Sequence, residues 1–206
     1  MSFTNYTTLQ AALKSALHRS DLDSVIPDFI SLAEDRANKR LRLRGMESRV
    51  TATVSSEYAA LPSDFLAMRN FQLNTSPRTR LEYATPEYLD ARYGDSTATG
   101  QPVFYTLVGG EIQFAPIPDG DYTAELDYYA KFDIATDTTN WLLTNAPRVY
   151  HYGALAEAYR YLKDDARATQ YDRLFELALQ DVEKSDERDQ YPDFGLQMRA
   201  DTGAPV

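Results

Sequence analysis

Apolar residues recur at helical spacing towards both ends of the chain and at a spacing of two between them. In residues 7–17, Leu9, Leu13, Ala16 and Leu17 share one face, which predicts a short amphipathic helix with Thr7 or Thr8 as N-cap. After a polar turn at residues 20–24, Ile26, Phe29, Ile30, Ala33, Ala37 and Leu41 form the stripe of a longer helix reaching about Arg44. Pro27 falls in its first turn, where proline is tolerated, and Gly45 is the expected stop.

From Arg49 to Val54 the period changes to two, as in a half-exposed strand. A short strand, a turn at residues 61–64 and a second strand carrying Met68, Asn70 or Phe71, and Leu73 follow, with Pro62 outside any central ladder. Residues 79–83 are expected to add an edge strand, and Thr85 to cap a brief helix with Pro86 in first position. Beyond the polar loop at residues 94–100, Val103, Tyr105 and Leu107 alternate, Gly109 and Gly110 interrupt, and Ile112 and Phe114 resume, which is a β-hairpin signal. A break at residues 116–120 leads to Tyr122, Ala124, Leu126 and Tyr128, predicting a third strand that returns across the first two as a meander.

Asn145 and Pro147 mark a helix start. Val149, Tyr152, Leu155, Ala156, Tyr159 and Leu162 line that helix, and small residues at Gly153, Ala154, Ala156 and Ala158 permit close approach. A second helix follows Asp164 or Asp165 as cap, with Tyr171, Leu174, Phe175, Ala178, Leu179 and Val182 inward, so the two form an antiparallel hairpin. Periodicity is lost beyond Glu187. Burying Tyr191, Phe194, Leu196 and Met198 would yield roughly 6–12 kcal/mol gross. Ordering the segment costs about 1–2 kcal/mol per residue, so its order is expected to need a partner. The whole is predicted to be an α+β chain: a helical bundle from N- and C-terminal helices, an inserted antiparallel β module (meander or sandwich) and an extended C-terminal tail. The expected parts are residues 1–45, 46–132, 133–187 and 188–206.

Composition changes this picture little: 43% hydrophobic and 25% charged residues suit a soluble globular chain. There is no cysteine, hence no disulfide or thiolate metal site, and no apolar run approaches a membrane span. The absence of a signal-peptide pattern at the N-terminus favours synthesis in a cytoplasm. Charge matters more. The net charge is −10, yet residues 1–45 hold seven Lys/Arg against five Asp/Glu. Arg36, Lys39, Arg40, Arg42 and Arg44 concentrate that excess, either complementing the helix dipole on a solvated face or offering a surface to an acidic partner or DNA. An acidic chain is poorly suited to wrapping DNA, which requires phosphate neutralisation, but it could line a passage to which DNA must not stick. Fifteen tyrosines favour assembly.

Motifs for chemistry are lacking. His18 and His151 have no partner at metal-ligand spacing, and there is no nucleophile elbow, phosphate loop or dinucleotide fingerprint. Asp119, Gly120 and Asp121 read as a turn rather than half a calcium loop. Asp164 and Asp165 read as helix caps rather than as an acid and base pair. No metal, cofactor or catalytic residue is expected, although two carboxylates distant in sequence can meet in any fold.

The order of elements resembles the head-to-tail adaptor proteins of tailed bacteriophages, of the podovirus tail tubular protein A or portal adaptor type. The resemblance rests on Gly109, Gly110, Ile112, Phe114, Pro116 and residues 118–122 in the sheet. In the helices it rests on Trp141, Leu142, Asn145, Pro147, Ala154, Leu155, Ala158 and Tyr159, followed by Tyr171, Phe175 and Ala178. It implies a non-enzymatic virion protein, made in the host bacterial cytoplasm, that forms a ring, dodecameric in this family. The ring joins the portal protein to the tail nozzle protein, with DNA only as passing cargo and no membrane partner. Tyr191, Phe194, Leu196, Met198 and Arg199 are then expected to bind the portal. Arg36, Lys39, Arg40, Arg42 and Arg44 are expected to meet a neighbouring subunit or the portal, and Gly109 and Gly110 the tail side. A host- or glycan-binding β module on a helical support, and a hydrolase, stay open as alternatives.

Overall fold

The computed structural model describes residues 3–94 and 99–190. Among them are seven α-helices and eight strands, an α+β chain as expected. It divides into two compact units. The helical unit takes residues up to Leu41 and from Leu142 onward, and the β unit takes the intervening residues from Arg42 to Trp141.

The helical unit contains α1 (Tyr6–Leu17), α2 (Ile26–Arg40), α6 (Pro147–Tyr161) and α7 (Asp165–Gln190). Asn5, not Thr7 or Thr8, caps α1. Its side chain accepts from the Thr8 amide, while the Thr8 hydroxyl accepts from the Asn5 amide, which satisfies two amides that a helix start otherwise leaves open. Helix α2 ends at Arg40 rather than near Arg44, and Leu41 follows in extended conformation. Its predicted stripe of Ile26, Phe29, Ile30, Ala33, Ala37 and Leu41 is buried throughout. Helix α6 packs against α1, α2 and α7, so its buried surface runs round most of the helix instead of along one stripe. The small residues read from the sequence serve this: a Cβ at Gly153 would lie 2.7 Å from the Ala33 methyl and 2.9 Å from the Phe175 ring. Asp164 caps α7 by accepting from the Arg167 amide at 3.1 Å, and α7 continues to Gln190, past the expected end at Glu187.

The β unit is two four-stranded sheets. The first, in spatial order, holds β1 (Glu47–Val54), β8 (Tyr122–Ala130), β3 (Phe65–Leu73) and β4 (Thr79–Arg80). The second holds β2 (Tyr58–Ala60), β7 (Glu111–Ala115), β6 (Phe104–Val108) and β5 (Glu82–Tyr83). The predicted hairpin is β6–β7, but β8 does not return across it. It enters the other sheet between β1 and β3, so the three strands are no meander. Both sides of β7 are occupied, by β6 and β2, which leaves β8 no edge there. The expected edge strand at residues 79–83 is split by Leu81: β4 pairs with β3, and β5 pairs with β6 in parallel, the one departure from antiparallel order among the named strands. Leu81 itself is buried and donates its amide to Phe71. Inward residues of the two sheets form one core around Phe71, whose ring lies 5.3 Å from Tyr105 and 5.8 Å from Phe114. Short helix α3 (Pro86–Tyr93), capped by Thr85 as predicted, lays Leu89 on Ala84 and Ala115. Ala115 and Phe114 are neighbours in one strand, so α3 covers the second sheet on the face away from that core.

Two further short helices, α4 (Ile134–Asp137) and α5 (Trp141–Asn145), complete the chain. Gly45 is not a helix stop: it lies in a 3₁₀ turn under the Trp141 indole, where a Cβ would come within 2.4 Å of the ring. The glycine is therefore a spacer that lets the one tryptophan pack.

Candidate interaction surfaces

The cationic cluster predicted on α2 is only partly available to a partner. Arg36 Nη1 donates to Glu157 of α6 and to Asp172 of α7, each at 2.9 Å, and its guanidinium lies over the Phe175 ring. Arg40 grips Glu183 through Nε and Nη2, both at 2.9 Å, and also bonds Glu176. The Glu183 hydrogen bonds hold the Arg40 guanidinium above its ordinary pKa. Spacing explains the match: Arg36 and Arg40 are one helical turn apart, and Asp172, Glu176 and Glu183 recur on one face of α7. That acidic stripe was the signal in the sequence for the pairing. Lys39 points elsewhere, bonded only to Asp35 at 2.6 Å, with its side chain 74% exposed. Arg42 and Arg44 follow the end of α2, in the first residues of the β unit, and are exposed.

One buried polar contact carried no signal in the sequence. The Tyr150 hydroxyl of α6 donates to the Glu34 carboxylate of α2, and both residues are buried. His151 stacks on Phe3, with centroids 5.1 Å apart, and burial lowers its pKa. Among the described residues no group of three or more His, Asp or Glu side chains converges as a metal site. No described helix is long and apolar enough to cross a membrane.

In the β unit, Gly109 and Gly110 form the tip of the β6–β7 hairpin with φ of +62° and +88°. Positive φ at both positions suits a two-residue turn matched to strand twist, which only glycine or a few polar residues adopt cheaply. No atom lies within 4 Å of where their Cβ atoms would be, so the tip stands clear.

The two sheets are linked at one side by the continuous run of β4 through Leu81 into β5. At the other side, edge strands β1 and β2 border an apolar cavity of about 280 Å³, lined by Val50, Ala52, Ala59, Leu61, Pro62 and Leu126 among others. The outward face of the first sheet is polar. Glu125 at its centre accepts from Gln72 and Asn74 and lies 3.5 Å from Arg49, which satisfies a carboxylate that is nearly buried. The expected portal-binding residues Tyr191, Phe194, Leu196, Met198 and Arg199 lie outside the described residues.

No curated protein matches the chain. The family model described as SU10 adaptor protein matches residues 4–199. This agrees with the phage adaptor expected from the Gly-Gly hairpin and the Asn-x-Pro helix start, and it carries no information on the tail tubular protein A type. Every described helix and strand falls within the matched stretch. Because the match runs through both units and not through one alone, the chain as a whole belongs to the SU10 adaptor protein family.

Proposed function

We propose that this chain is a structural protein of the tailed-phage particle that joins head to tail, as one subunit of a ring between the portal and the tail nozzle through which DNA passes. The observation that carries this reading is the family match over both units. The architecture supports it. Charged and packed contacts tie α2 to α6 and α7, which makes a stiff frame, while the β unit offers a clear hairpin tip and a free sheet edge.

The contacts follow from where cations and turns are offered. Arg36, Lys39, Arg40, Arg42 and Arg44 are assigned to a neighbouring subunit or to acidic portal surface, with Lys39 contributing most, since Arg36 and Arg40 already serve carboxylates of their own chain. Gly109 and Gly110 are assigned to the tail side. Residues 191–199 supply a contact to another subunit or to the portal.

Light scattering of the purified chain mixed with the portal protein of the same phage tests this. A complex of ring size is expected. A monomer that persists at all portal concentrations would contradict it.

A further inference from the structure

Strand β1 is the free edge of the first sheet. Among the described residues it pairs with β8 alone, in unbroken register from Glu47↔Tyr129 to Val54↔Tyr122, and of its eight residues only Val54 is buried. On such an edge every second residue turns its amide and carbonyl away from the sheet, ready for another strand. Edges are commonly guarded by lysine, proline, a bulge or brevity. Residues 50–54, Val-Thr-Ala-Thr-Val, have none of these guards, and the apolar cavity lies beside them.

This edge specifies its occupant. An incoming strand must show apolar side chains at every second position, towards Val50, Ala52 and the cavity, and small or polar ones between, beside Arg49 and Thr51 on the polar face. Residues 194–199, Phe-Gly-Leu-Gln-Met-Arg, have that alternation. Three residues separate them from the end of α7 at Gln190. Charge and strand length together select the register, with Glu47, which already pairs with Arg69, taking a second cation. Running antiparallel with Arg199 opposite Glu47 puts Leu196 opposite Val50, Phe194 opposite the small Ala52, and Gly195 opposite Thr51. A shift of two residues, the smallest that keeps the faces, would set Arg199 against Arg49 in one direction and opposite Gly45, outside β1, in the other.

We infer that residues 194–199 of a second copy add to β1 as a fifth strand of the first sheet. Each copy then carries one edge and one strand, the arrangement of a head-to-tail contact that closes into a ring. The inference rests on the reading that copies of this chain assemble with one another.

The chain has no cysteine, so introduced thiols report without background. Full-length Thr51→Cys and Gly195→Cys variants are mixed and oxidised with glutathione disulfide. A disulfide-linked pair containing one of each is expected, at least tenfold more abundant than when Thr7→Cys, at an exposed position of α1, replaces Thr51→Cys. Adding Leu196→Asp to the Gly195→Cys copy should remove that excess. A chain carrying both Thr51→Cys and Gly195→Cys should give a ladder of linked copies. Yields equal to the Thr7→Cys control, yields unchanged by Leu196→Asp, or only an internal bridge in the double variant would each overturn the proposal. So would a Gly195→Cys thiol that is trapped on added portal protein in place of β1. Absent cross-links with portal complexes intact would remove strand addition and leave the adaptor reading standing. Loss of both would count against the two together.

Discussion

The guanidinium of Arg36 lies 4.6 Å from the centroid of the Phe175 ring, so a cation of α2 is seated on α7 while it also bonds carboxylates of α6 and α7. A ring face and two carboxylates together favour a planar, forked cation over a lysine ammonium. The residue therefore contributes to the fold of its own unit before it can contribute to any assembly.

Stability should separate the cations of this cluster. Arg36→Ala is expected to cost about 1–2 kcal/mol, because Glu157 and Asp172 keep Arg160 but lose their second guanidinium, and the Phe175 ring loses its cation. Arg36→Lys should recover only part. Lys39→Ala, at an exposed one-turn pair, should cost less than about 0.5 kcal/mol. Urea denaturation of the three variants checks this, and equal midpoints would show that the network does not hold the helices. Charge reversal at Lys39 is consequently the clean test of assembly, whereas reversal at Arg36 or Arg40 also lowers monomer stability.

Gly153→Ala should destabilise the helical unit. Alanine in place of glycine in a helix interior normally gains about 1 kcal/mol. Here its Cβ would press on the Ala33 methyl and the Phe175 ring, and overpacking costs about 1–3 kcal/mol. Adding Ala33→Gly should restore part of the loss in a double-mutant cycle. A more stable Gly153→Ala protein would mean that α2 and α6 are not in such close contact.

Gly45→Ala should displace the indole of Trp141, the sole tryptophan, so its fluorescence reports the change without ambiguity. A red-shifted emission maximum and a loss of about 1–3 kcal/mol are expected. An unchanged spectrum would count against the spacer role of this glycine.

His151 should make stability depend on pH in a defined window. Burial favours the neutral ring, so the folded-state pKa lies below the ordinary 6.5 of the unfolded chain. The unfolded state then binds more protons between the two values. Stability is whole above about pH 6.5 and falls as pH drops towards the folded pKa. Carboxylates titrate lower still, so the readout is the difference between the protein and its His151→Gln variant, whose stability should decline less from pH 7.5 to pH 5. Parallel declines would remove His151 as the cause.

How much of this was legible in the sequence depended on the range of the interactions. Periodicity gave the stripe of α2, the cap at Thr85 and the turn at Gly109 and Gly110, since a few neighbouring residues decide each. It also showed the alternation of β8, but not that β8 sits between β1 and β3, because pairing is chosen by edges far away in the chain. Arg36 and Arg40 read as a surface cluster, since their carboxylates lie more than a hundred residues on. Gly45 resembled a helix stop for the same reason: the indole that requires its small size arrives only at Trp141.

Cryo-electron microscopy of the intact phage particle decides whether this chain forms the junction between head and tail. A closed ring of the chain between the portal and the tail is expected. Density for the chain elsewhere in the particle, or a junction formed without it, would show that it is not the connector.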